Sequence, residues 1–144
     1  RTMAVNLTAP FNLTKMVLPS MKENGGGSII NITSLNAELG FPDNPAYIAS
    51  KGGLKQFTKS LAYDYGKYGI RANNVGPGYI HTSMTNKSWN DEELNAQRKN
   101  RTLLGRWGQS RDLIGAVIYL ASDASSYVTA QDLYVDGGWL AKGL

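Results

Sequence analysis

A tyrosine and a lysine four residues apart, Tyr47-x-x-x-Lys51, are the residues of this 144-residue sequence best suited to acid–base chemistry. On a helix that spacing puts them one turn apart on the same face. A phenol with a pKa of ~10 is a poor base at neutrality. A cation about 4 Å away is worth ~4 kcal/mol at an effective dielectric of 20, or about three pKa units. Tyr47 is then expected to titrate near the working pH, where a general acid or base acts best. The pair alone also suits any solvated helix. Ser34 adds context, because it closes a β-branched run thirteen residues earlier, at the edge where ligands bind in open α/β sheets. Its hydroxyl can hold a substrate oxygen against the Tyr47 phenol. Asn6 sits near a helix start, where it reads from its own position as a cap or a solvated polar group.

The elements that must position these groups follow from periodicity. Met3, Leu7, Phe11, Leu13 and Val17 recur at roughly helical spacing, and Pro19 predicts a break. Gly25-Gly26-Gly27 predicts a turn and the run Ser28 to Ser34 a buried strand. A loop is expected from Leu35 to Asn44. A long helix then begins at Pro45 and stops at Gly66 to Gly69. Ile70 to Val75 predicts a second strand, with a sharp bend at Gly76-Pro77-Gly78. The polar stretch from Thr82 to Arg106 predicts one helix near Asp91 to Lys99. Asp112 to Ala121 reads as a helix and Asp132 to Val135 as a short strand. Parallel strands with right-handed crossovers and helices on both faces make this a Rossmann-type, doubly wound α/β sheet, read as a single unit over 1–144.

Composition narrows the class. Hydrophobic residues at 42% and charged residues at 18% describe a globular chain. The absence of cysteine excludes disulfide and thiol chemistry. No apolar run approaches the ~20 residues that span a bilayer, and no secretory signal opens the chain, so neither a membrane nor export is expected and the location expected is cytoplasmic. The five Asn-x-Ser/Thr triplets are accordingly read as chance. The net charge of +4 is spread without a Lys/Arg block, which argues against nucleic acid as a partner. No carboxylate or second ligand accompanies the single histidine, His81, so no metal site is expected.

Asn6, the strand-end Ser34, Tyr47-x-x-x-Lys51, Pro77-Gly78-Tyr79-Ile80-x-Thr82 and Val135-Asp136-Gly137-Gly138 together resemble the classical short-chain dehydrogenase/reductase family. The resemblance runs the length of the chain. It implies that Tyr47 exchanges a proton with the substrate hydroxyl or carbonyl, while Ser34 orients that oxygen. It implies that Lys51 lowers the Tyr47 pKa and bonds the nicotinamide ribose, and that Asn6 holds a water relaying protons to Lys51. Pro77, Gly78, Ile80 and Thr82 would line the nicotinamide of NAD or NADP. Ala130 stands where the family usually carries glycine, a change expected to affect a turn. No glycine-rich loop for a pyrophosphate follows any strand, so the chain is expected to be the C-terminal portion of a longer protein, and NAD cannot be told from NADP.

The segments Leu104-Gly105-Arg106-Trp107-Gly108 and Asp136 to Lys142 resemble gluconate 5-dehydrogenase and related sugar-acid or polyol dehydrogenases. The function expected is therefore hydride transfer between NAD(P) and a secondary alcohol or ketone of a sugar, sugar acid or polyol. A 3-oxoacyl-carrier-protein reductase and an inert or regulatory fragment are the alternatives. The same two segments read equally well with Trp107 and Trp139 simply as packing or subunit-contact residues. The polar stretch after Thr82 is expected to close over substrate. Small and apolar residues on several sides of the long helix, including Ala49, Gly52, Gly53, Phe57, Leu61 and Ala62, predict a homo-oligomer, a tetramer by the same resemblance.

Overall fold

The computed structural model describes residues 1–142; Gly143 and Leu144 lie outside the described residues. A π-helical turn, Ala4–Thr8, leads into α1 (Ala9–Glu23). Then come β1 (Gly27–Ile32), α2 (Pro45–Tyr65) and β2 (Ile70–Pro77). The short α3 (Asn86–Asn90) and α4 (Glu92–Arg101) fill the long connection before α5 (Ile114–Ala121) and β3 (Asp132–Val135). The strands form a parallel sheet in the order β1-β2-β3, with Gly27 opposite Ile70 and Asn74 opposite Asp132.

Alternation along β1 and β2 divides the sheet into two faces. Ile29 and Ala72 join Leu18 of α1 and Leu61 and Ala62 of α2 in a buried cluster, so α1 and α2 cover one face. Ser28 and Arg71 point the other way, toward α5. Ser28 Oγ donates to the Leu120 carbonyl at 2.7 Å, and the Arg71 guanidinium donates to the Leu120 and Ser122 carbonyls at 3.0 and 3.2 Å. A cation on the last carbonyls of α5 satisfies groups a helix cannot satisfy itself and complements its dipole. The molecule is thus a doubly wound Rossmann-type sheet with helices on both faces.

The α2 face also carries a buried polar chain. The fully buried Thr58 hydroxyl accepts from Asn31 Nδ2 at 2.9 Å and donates to Asn74 Oδ1 at 2.7 Å, and Asn74 Nδ2 donates to Asp132 Oδ1 at 2.7 Å. One helix residue therefore ties together all three strands. At its end Lys55 pairs with Glu38 and lies 3.6 Å from Asp132, while Tyr134 donates to Glu38 at 2.6 Å. The Lys55 and Tyr134 hydrogen bonds hold the Glu38 carboxyl below its ordinary pKa.

Five boundaries depart from the sequence reading. α1 continues through Pro19 to Glu23. The proline frees only the carbonyl of the exposed Lys15, while Leu18 and Met21 on either side of it pack on the sheet. β1 stops at Ile32, so Ser34 lies two residues beyond the strand and opens the 3-10 turn Leu35–Ala37. β2 does not bend at Gly76 but runs through Pro77, pairing those residues with Tyr134 and Val135. The missing N–H of Pro77 faces the side on which β1 has already ended, which is where a strand tolerates proline. The connection after Thr82 holds two helices rather than one, split at Asp91, whose carboxylate caps α4 by accepting from the Leu94 amide at 2.9 Å. The expected helix 112–121 starts as a 3-10 turn, Ser110–Leu113.

Candidate active site

α2 begins at Pro45, a residue whose fixed φ suits the first helical position, and this sets Tyr47 and Lys51 one turn apart in its first turns. Lys51 Nζ donates to the Ile32 carbonyl at 2.7 Å, joining the start of α2 to the carboxyl end of β1. Ser34, two residues past that carbonyl, is thereby brought to the same sheet edge as Tyr47 and Lys51. The ammonium of Lys51 lies 5.7 Å from the centroid of the Tyr47 ring. Burial pushes the Lys51 pKa below its ordinary value, because a half-buried cation has lost part of its hydration. Ser34 has extended backbone, and its Oγ accepts from the Asn36 amide at 3.2 Å. It also donates to Asn36 Oδ1 at 3.3 Å.

Asn6 sits in the π-helical turn rather than in regular α-helix, a local widening that often accompanies function. Its Nδ2 donates to Ser50 Oγ at 3.1 Å, and Ser50 Oγ donates to the Tyr47 carbonyl at 2.7 Å. The fully buried Ser50 therefore connects Asn6 to the helical turn bearing the phenol. Reading by sequence passed over Ser50; its signal was a serine inside a helix between two functional candidates. Gly53 permits the approach, since a Cβ there would sit 3.0 Å from Leu7 Cδ2. Gly53 is thus closely packed, whereas a Cβ on Gly52 would meet open space.

The segment 77–82 continues β2 beyond the sheet. Gly78 donates its amide to Val135 at 3.0 Å, and a Cβ at Gly78 would fall 2.7 Å from Asp136 Cα, so only glycine fits. The Ile80 side chain turns inward against Gly108 and is buried, and its carbonyl accepts from Thr85 Oγ1 at 2.8 Å. Thr82 forms a capping box with Thr85. Pro77 and Gly78 are half-buried at the carboxyl end of β2, and Thr82 is exposed.

A cleft of about 810 Å³ opens beside Asn36 and Asn44, between the 36–44 loop and α4. Tyr79 and Trp139, with ring centroids 4.8 Å apart, contribute to its wall, and Trp107 meets Tyr79 edge-on at 5.4 Å. Trp107 and Trp139 are buried, so the packing reading holds for both. His81 is exposed and stacks on Trp89 at 4.0 Å, and the described residues contain no cluster able to hold a metal.

The family profile described as enoyl-(acyl carrier protein) reductase matches residues 1–140. Gluconate 5-dehydrogenase of Gluconobacter oxydans is 43% identical over 136 residues, which are 94% of this chain and 53% of the relative. A 2-dehydro-3-deoxy-D-gluconate 5-dehydrogenase of Bacillus subtilis is 44% identical over 138 residues, 96% of this chain and 54% of the relative. Among solved structures, a gluconate 5-dehydrogenase from Burkholderia cenocepacia in complex with NADP and tartrate superposes with a TM-score of 0.94 at 42% identity. That superposition covers 96% of this chain and 55% of that one. The chain spans about half the length of the relatives it matches. With a profile match over nearly its whole length, the chain belongs to the short-chain dehydrogenase/reductase family.

Proposed function

We propose that the full-length protein is an NAD(P)-dependent dehydrogenase that interconverts a secondary alcohol and a ketone on a sugar acid or a closely related polyol. The observation that carries this reading is the convergence at one sheet edge of Tyr47, Lys51 and Ser34, with Asn6 bonded through Ser50 to the Tyr47 carbonyl. The similar proteins named for gluconate, and the solved relative holding NADP and tartrate, favour a carboxylate-bearing substrate and the same class of cofactor.

The residues present suit a nicotinamide nucleotide. Lys51 uses one of its three N–H groups on Ile32 and keeps two for a ribose, and Gly78 leaves the carboxyl end of β2 free of a side chain. The cofactor, when bound, supplies the hydride acceptor or donor. Ser34 orients the substrate oxygen. Tyr47 takes the hydroxyl proton in oxidation and returns it in reduction, so that proton and hydride leave the same alcohol in balance. Lys51 holds positive charge beside the phenol, and the Asn6–Ser50 link steadies the backbone turn that carries it. Pro77, Ile80 and Thr82 are assigned to the nicotinamide side, Ile80 through its backbone because its side chain is buried.

The test is reduction of NAD or NADP by the full-length protein with gluconate, followed by the absorbance of the reduced nicotinamide. Turnover with gluconate supports the reading. Turnover confined to 3-oxoacyl thioesters would replace it with carrier-protein chemistry, which the name of the matching profile favours. The assembly is proposed to be a homotetramer, and a monomeric mass by light scattering across a broad concentration range would reject that.

A further inference from the structure

The cleft beside Asn36 and Asn44 is lopsided in charge. Among the described residues, Arg98, Arg101 and Lys142 line it against a single carboxylate, Asp43. Lys142 already donates to the Asn100 carbonyl, but among the described residues neither arginine is ion-paired. The two arginines are three residues apart on α4, so they lie on one face of it. The Arg98 guanidinium lies 4.6 Å from the Tyr79 ring centroid and that of Arg101 lies 5.7 Å from the Trp139 ring. Aromatic faces hold a planar guanidinium in place and leave its edge open for ligands.

Arg98 carries a further mark. Its Nε is buried with no hydrogen-bond partner, while Nη1 donates only to Gln97 Oε1 at 3.2 Å. A buried N–H without an acceptor is costly, and the group that would satisfy a guanidinium edge best is a carboxylate, which accepts two N–H bonds at once. The opposite wall carries Asn36, which bonds Ser34, and Asn44, three residues before Tyr47. An anion held at the arginines would therefore face a wall whose residues adjoin, in the chain, the segments that carry Ser34 and Tyr47.

We propose that Arg98, supported by Arg101, is the residue by which this protein distinguishes a carboxylate-bearing substrate from a neutral polyol. The inference rests on the dehydrogenase reading above and names the part of that site that reads charge. The role is one of specificity: Arg98 binds the end of the substrate that does not react, and the proton transfer stays with Tyr47.

The test compares gluconate with glucitol, the polyol of the same carbon skeleton, using the full-length protein and NADP. Arg98→Gln is expected to lower the gluconate-to-glucitol ratio of kcat/KM by about tenfold or more, mainly through the KM for gluconate. Arg98→Lys, which keeps the charge but loses the planar fork, is expected to restore part of the ratio. Arg101→Gln, at an exposed position where folding is not at issue, should lower it by a smaller factor. Lys99→Gln, on the same helix but outside the cleft, should leave the ratio at its wild-type value. An unchanged ratio in the Arg98 and Arg101 variants, or an equal loss for both substrates, would overturn the proposal and reduce Arg98 to a packing residue. Should the wild-type protein oxidise neither compound, the dehydrogenase reading fails by itself. Calorimetric titration with gluconate then decides Arg98 separately, with about tenfold weaker binding in Arg98→Gln supporting the proposal and equal affinity overturning it.

Discussion

Lys51 is asked to do two things with one ammonium group. It pins α2 to the end of β1 through Ile32, and it holds charge next to Tyr47. Lys51→Ala in the full-length protein should therefore weaken cofactor binding and slow turnover together, measured by cofactor titration and steady-state rates; a purely kinetic defect would contradict the ribose contact. Ala130 offers a prediction of a different kind. It adopts a left-handed φ of 60° while its amide donates to the Ala72 carbonyl at 2.8 Å. That conformation costs an L-residue about 1–2 kcal/mol, partly offset by the greater unfolded-state entropy of glycine. Ala130→Gly is expected to stabilise the protein by about 0.5–1 kcal/mol in denaturant unfolding, and a loss of stability would refute the strain. The position was legible in the sequence as a departure from the family's glycine, and the structure supplies its physical content. Ser50 stood out only as a serine inside a helix between two candidate residues, and its role had no spacing signature until its partners were known.

Among the elements, α2 carries most of the organisation. Its first turns present Tyr47 and Lys51, and its middle ties the strands through Thr58. Thr58→Val keeps the shape of the side chain but strands the buried amide groups of Asn31 and Asn74. The expected loss is about 2–4 kcal/mol in denaturant unfolding of the full-length protein. A loss below about 0.5 kcal/mol would show that the network reorganises without it. β1 was legible because it is a compact β-branched run after a glycine turn, and the long helices because they repeat their apolar residues. Boundaries were harder. Pro19 and Pro77 are local breakers that tertiary context absorbs, one by leaving an exposed carbonyl unpaired and the other by facing a strand that has ended. The split between α3 and α4 turned on the Asp91 side chain, a cap within a polar run that has almost no apolar period to read. The cleft escaped the sequence reading for a related reason, since Phe41, Tyr79, Arg98 and Trp139 come from four separate segments.

At the scale of the whole molecule, several apolar residues of α2 that suggested a subunit contact are spent within the chain. Leu61 and Ala62 are spent inside, against the sheet, and Phe57 meets Phe11 at 5.2 Å. Exposed apolar side chains lie on the Ala4–Thr8 turn, α1 and α5, among them Val5, Phe11, Leu13, Met16, Ile114 and Ile118, and on α2 at Tyr63. The chain spans about half of its relatives, which is why assembly and turnover are tested on the full-length protein. The central claim is that the Tyr47 hydroxyl is the proton donor and acceptor in a nicotinamide-linked oxidation. It is tested most directly by comparing wild-type protein with Tyr47→Phe for gluconate-dependent reduction of NADP, alongside cofactor binding. Turnover is expected to fall ~100-fold or more, with cofactor affinity changed by no more than about twofold, because only the phenolic oxygen is removed. Near wild-type turnover in Tyr47→Phe would contradict it.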